Sequence, residues 1–173
     1  MLARREDRTL HVAYSQLLHA AIDVGIAGGA LEEALEFVRT KARPWFESGH
    51  DRAAGDPFVI QRAGELPVKV RAAEALLDRA AQAVDTARDD RTDETAAAAS
   101  IAVAAAKAFA DPVAVEPGNA SWAAPGPAWT GLNLHRHWRN ACTHTLHDPA
   151  RWKIQHIGRY VLNGRLPPRH GLL

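Results

Sequence analysis

Apolar residues recur at helical rather than strand spacing along most of the chain. From about Leu10 to Phe46, the residues Tyr14, Leu17, Leu18, Ala21, Gly25, Gly28, Leu35, Val38, Ala42 and Trp45 follow one helical stripe. Gly25, Gly28 and Gly29 each weaken such a helix, by roughly 1 kcal/mol relative to alanine. Close approach of another helix or of a ligand is the expected compensation. Pro44 bends or ends the element, and ESGHDRAAGD reads as a polar loop. Asp56 and Pro57 then supply a cap and a first helical residue. Phe58, Val59, Ala63, Leu66, Val70, Ala73, Leu77, Ala80, Val84 and Ala87 continue one face of a second helix. Pro67 lies inside it, removes a backbone donor and predicts a kink. DDRTDE marks a turn, and TAAAASIAVAAAKAFA is an alanine-rich third helix suited to close packing. Long helices joined by short polar connections predict an all-α, up-and-down four-helix bundle.

The pattern changes over residues 111–131, which hold four prolines and two tryptophans without a consistent period. Helical spacing resumes at about Leu134 and runs through RHWRNACTHTLH. Asp148 and Pro149 read as the cap and first turn of an extra C-terminal helix closed by Asn163-Gly164. The tail RLPPRHGLL reads as extended.

Composition adds limits. A chain of 173 residues suits one domain spanning residues 1–173, and 47% hydrophobic with 24% charged residues is an ordinary globular balance. The single cysteine, Cys142, excludes an internal disulfide framework and fits a reducing, cytoplasmic setting. The first residues mix charges and resemble no secretory signal. No stretch approaches the ~20 consecutive apolar residues of a membrane span, so no membrane partner is expected.

Charge is unevenly placed. Residues 1–133 carry 14 Lys/Arg against 19 Asp/Glu, a net −5, whereas residues 134–173 carry seven against one, a net +6. Such a basic stretch meets nucleic acid or a ligand phosphate, or it is a solvated face or subunit interface. No nucleic-acid motif frames the arginines and tryptophans, so no nucleic-acid partner is expected.

The segment richest in chemistry is HRHWRNACTHTLHDP. At about 100° per residue, Arg136, His137, Asn140, His144 and His147 share one helical stripe. Histidine donates, accepts and shuttles protons near neutral pH, so His144 and His147 suit acid–base work or hydrogen bonding to a cofactor. The competing reading is a solvated helix face. His135/His137 and His144/His147 have the look of ligand pairs, but the first pair diverges on a helix and no carboxylate clusters with it. No metal site is assigned from the sequence. Cys142 lacks a partner and a catalytic signature, which makes it a plain thiol.

HWRNACTHTLHDPARWKIQHIGRYVLNGRLPPRHG resembles the C-terminal signature of one branch of the acyl-CoA dehydrogenase superfamily. That branch comprises flavin-dependent monooxygenases of the dibenzothiophene-monooxygenase and sulfur-acquisition type. QLLHAAIDVGIAGGALEEALEFVRTKARPW, DPFVIQRAGELPVKVRAAEALLDRAA and ASIAVAAAKAFA resemble the first three helices of the same domain. The resemblance implies a C-terminal domain whose N-terminal and middle companions lie outside this chain. It implies a homo-oligomer, dimer or tetramer, and reduced FMN delivered by a partner flavin reductase, with FAD the alternative. The implied activity is oxygenation of a small organosulfur compound. By motif, His144 and His147 are the catalytic residues near the flavin's reactive edge, and Arg139 and Asn140 orient their helix or meet the flavin phosphate. His147-Asp148 stands where acyl-CoA dehydrogenases proper carry a glutamate base, which argues against ordinary dehydrogenation. The isolated chain is expected to have little or no activity, and a non-catalytic helical interaction protein or truncated-gene remnant is the alternative.

Two departures from the family pattern stand out. Cys142 occupies a position where the signature has arginine. Residues 121–131 do not resemble the family's glycine-rich loop, yet one back-translation of SWAAPGPAWTG, read one base earlier, gives ELGGTRSSVDG. Two compensating frameshifts, in the gene or its sequencing, account for the segment on this reading, and 110–133 is expected to be an irregular, poorly ordered loop.

Overall fold

The computed structural model describes residues 10–119 and 133–168. Five α-helices lie among the described residues, α1 (His11–Thr40), α2 (Pro57–Asp89), α3 (Asp93–Gly118), α4 (His135–His144) and α5 (Ala150–Asn163). Single 3₁₀ turns lie at Ala53–Gly55 and Thr145–His147, and no strand occurs among the described residues.

Local chemistry sets the boundaries. The Asp56 carboxylate accepts from the backbone N–H of Phe58 at 2.8 Å, and Pro57 opens α2. Thr92 and Thr95 form a reciprocal capping box that starts α3 inside the predicted turn. Gly164, with φ 62°, closes α5 in the left-handed conformation that glycine adopts without steric cost. Asp148, predicted to cap α5, makes no cap hydrogen bond; Pro149 is the flanking residue, and Asp148 turns inward to a buried lysine.

Two apolar clusters fix the topology. One joins Ala13 and Ala20 near the start of α1 to Ala80, Val84 and Ala87 at the end of α2 and Ala99, Val103 and Ala106 early in α3. The other joins Val24, Ala27 and Leu31 to Leu66, Val70 and Ala73 and to Ala110 and Val113. The ends that meet make α1, α2 and α3 run up, down and up. α4 runs back down, since Arg136 near its start pairs with Glu33 and His144 at its end meets Asp23. The expected up-and-down bundle with an extra C-terminal helix is therefore observed, with α3 packed on all four other helices.

Several local expectations are corrected. α1 ends at Thr40, before Pro44, and its buried seam is Ala13, Ala20, Val24, Ala27, Leu31 and Ala34 rather than the stripe through Tyr14 and Leu18. Small residues there let α3 approach closely, which turns the larger residues outward. An added Cβ at Gly25 or Gly28 would meet nothing within 4 Å, so no protein neighbour accounts for these glycines among the described residues. Pro67 does not interrupt α2. α3 does not stop at Ala110 but continues through Pro112 and Pro117 to Gly118. α3 is also long and apolar enough to cross a membrane, contrary to the sequence reading, but half of its apolar window is buried inside the bundle and its Lys107 and Asp111 are paired there. It is a core helix. The irregular, frameshifted loop expected from the sequence falls mainly on residues 120–132, which lie outside the described residues.

Candidate functional site

The site is built where α4 crosses α1 and α3. Arg136 pairs with Glu33, and His137 Nε2 lies 3.2 Å from Glu33 Oε2 in an ion contact without hydrogen-bond alignment. Burial works against the Glu33 charge, but the adjacent imidazole and guanidinium outweigh it and hold the carboxyl below its usual range. Gly118 lets the end of α3 touch α4: a Cβ there would sit 2.8 Å from the Trp138 backbone nitrogen and 2.9 Å from its Cα. The start of α4 is thereby fixed in position.

At its far end, His144 Nδ1 lies 2.6 Å from Asp23 Oδ1. An ionised carboxylate only accepts, so Nδ1–H is the donor and the imidazole is held in one orientation. The other oxygen of Asp23 accepts from Lys107 Nζ at 2.8 Å, and Lys107 also bonds Asp111. Asp23 and Lys107 are fully buried. Burial disfavours the Lys107 charge, but the hydrogen bonds from Nζ to Asp111 and Asp23 more than offset it and raise the ammonium pKa. Asp111 is pushed up to about 6, chiefly by burial, against the pull of Lys107. A chain of charge thus runs from the core, through Asp23, to an imidazole at the surface.

Three histidines gather at that end. His19 Nδ1 is 3.3 Å from His144 Nε2. The His147 ring lies 4.2 Å from that of His19 and 5.0 Å from that of His144, centroid to centroid. His147 Nδ1 donates to the backbone carbonyl of His144, which leaves its Nε2 as an acceptor on an exposed ring. The His19 pKa is lowered, first by burial and then by its neighbours His147, His144 and Lys107, whose protonated forms repel a further positive charge.

The predicted stripe is therefore divided. His144 and His147 come together, His147 on the 3₁₀ turn that follows α4. Arg136 and His137 turn to Glu33, while Arg139 and Asn140 are exposed. Cys142 is a half-buried free thiol, as expected of an inert one. Asp148 is buried and bonded to Lys153, so it holds α5 in place and is no free base. Sequence reasoning missed His19, Asp23, Lys107 and Asp111. Lys107 and Asp111 had one signal, an i, i+4 pair of opposite charges in an otherwise apolar alanine helix. His19 and Asp23 are likewise four residues apart on α1, but nothing in the sequence ties them to α4.

The described residues thus form an all-α bundle with a cluster of oriented imidazoles near its surface. The chain belongs to the family of acyl-CoA dehydrogenase C-terminal domains, whose family model matches residues 17–152. It is 38% identical over 157 residues to the dibenzothiophene monooxygenase of Mycolicibacterium goodii, covering 88% of this chain and 38% of that protein. It is 34% identical over 158 residues to the probable FMNH2-dependent monooxygenase SfnC of Pseudomonas putida, covering 88% of this chain and 40% of the relative. The structure of TdsC from Paenibacillus sp. A11-2 in complex with FMN and indole superimposes with a TM-score of 0.89 at 32% identity, covering 95% of this chain and 43% of TdsC. The chain thus spans about 40% of the length of the curated relatives it matches.

Proposed function

We propose that this chain is the C-terminal flavin-site and oligomerisation domain of an FMN-dependent monooxygenase acting on a small organosulfur compound. The observation that carries the reading is the Asp23–His144 hydrogen bond at 2.6 Å, which fixes one imidazole beside the exposed His147. Similarity to a dibenzothiophene monooxygenase and to an FMN-bound structure supplies the substrate and cofactor classes. The residues fit one wall of such a site. Arg139 is an exposed cation for a phosphate, Asn140 an exposed amide, and His147 presents its Nε2 on an exposed ring. Bound reduced FMN would supply the oxygen chemistry. The protein's own part is to orient His144, to hold or move a proton at His147 Nε2, and to keep the buried Asp23 charge beneath them. The remaining walls come from N-terminal and middle domains, so the chain alone is inactive. Reduced FMN comes from a partner flavin reductase, and the setting is the cytoplasm.

A chimera tests this. This chain replaces the C-terminal domain of TdsC, and dibenzothiophene oxygenation is assayed with FMN and a flavin reductase. Activity is expected, and His147→Ala is expected to lower kcat on the order of 100-fold, the lower range for loss of an acid–base group. A chimera that binds FMN but turns over equally well with alanine at position 147 contradicts the assignment.

A further inference from the structure

We propose that His19, His144 and His147 form a three-histidine site for a divalent transition metal of the zinc class, open to solvent at its fourth position. One ligand atom from each ring lies within 4.8 Å of the others. The 3.3 Å between His19 Nδ1 and His144 Nε2 is already the edge of a tetrahedron with metal–nitrogen bonds of about 2.0–2.1 Å. The surroundings are those that metal-binding histidines use. His144 donates Nδ1–H to the Asp23 carboxylate, so Nε2 is its coordinating nitrogen. His147 donates Nδ1–H to a backbone carbonyl, so again Nε2 is free to coordinate. His19 offers Nδ1 once its ring proton sits on Nε2. Two of the three ligands are thus held in the correct tautomer before any ion arrives.

Electrostatics support the geometry. The buried Asp23 carboxylate lies directly against His144, where its charge favours a bound cation. Imidazole ligands select zinc, copper or nickel over magnesium or calcium. The exposed His147 leaves the outer position to water, so the ion is reachable and exchangeable. This site shares His144 and His147 with the flavin-facing role but does not depend on it, since the three rings converge within this chain. An ion held there would occupy the nitrogens that acid–base work needs, making the metal an inhibitor of that role.

The test uses the untagged chain without flavin. Zn²⁺ is titrated calorimetrically, and the imidazole nitrogens are followed by NMR in ¹⁵N-histidine-labelled protein. One equivalent is expected to bind well below ~100 µM, with the large shifts on His19, His144 and His147. His19→Gln and His147→Gln are each expected to weaken binding at least ~10-fold, while His50→Gln, on an exposed loop, changes nothing. Circular dichroism establishes that each variant is folded, and the wild-type NMR shifts identify the ligands without any variant. No binding up to ~100 µM, unchanged affinity in both folded variants, or shifts confined to other histidines would overturn the site.

Discussion

The Asp23–Lys107–Asp111 cluster decides more at the residue scale than any apolar contact. Two carboxylates and one ammonium are buried together, and taking charges out of water is repaid only while each keeps its partners. Lys107→Met would leave both carboxylates without their cation and is expected to destabilise the fold by about 3–5 kcal/mol in urea denaturation. A loss under ~1 kcal/mol, the scale of an exposed pair, would show that the cluster is solvated. Asp111 adds a pH signature. Its folded pKa of about 6 lies above the ordinary 3.8, so the fold favours its protonated form. Its contribution to stability is therefore full below about pH 4 and lost as pH rises through about 6. Asp111→Asn should flatten the fall in urea stability across that window, and an unchanged slope would contradict the shift. Only the i, i+4 spacing of Lys107 and Asp111 left a signal in the sequence. Asp23 and Lys107 are 84 positions apart, and only the packing of α1 on α3 makes them partners.

α3 shows at the element scale how far periodicity carries and where it stops. Its alanine run correctly signals a helix packed closely on several sides. Its end was misjudged because prolines were read as punctuation, although Pro112 and Pro117 are accommodated within the helix. The extra turns carry Gly118 to α4, and this contact sets where the histidine-bearing helix starts. Gly118→Ala would bring a methyl carbon against the Trp138 backbone, which is not a yielding side chain. The expected cost is about 1–3 kcal/mol, read as a lower thermal midpoint, together with altered His144 and His147 imidazole resonances as α4 shifts. A variant with unchanged stability and resonances would mean that α4 is not fixed by this contact. α2 was the more legible element: its cap, its first proline and nearly all of its core face stand as predicted, with Phe58 the exception at 81% exposed. The register of α1 was misread because its small residues face the core.

Among the described residues, some of the exposed large apolar side chains are grouped on α1 and α5. Tyr14, Leu18 and Ile22 form an exposed i, i+4, i+8 stripe along α1. α5 is turned inside out: its buried residue is Lys153, while Val161 and Leu162 are 72% and 82% exposed. A helix with this arrangement is stable when its outer face is covered. Sedimentation velocity at micromolar concentration is therefore expected to show dimers or larger species, and a monodisperse monomer would contradict this. The family and bundle were legible because the local motifs THTLHDP and the Asp56-Pro57 cap belong to the chain itself. The histidine cluster was not, because His19 comes from α1, 125 positions away from His144.

On the proposed function, His144 and His147 line a flavin pocket that other domains complete. A crystal structure of the TdsC chimera soaked with FMN tests it most directly. The account predicts the flavin ring within hydrogen-bond reach, about 3 Å, of one of these two imidazoles. Flavin bound elsewhere, with both imidazoles facing bulk water, would contradict it.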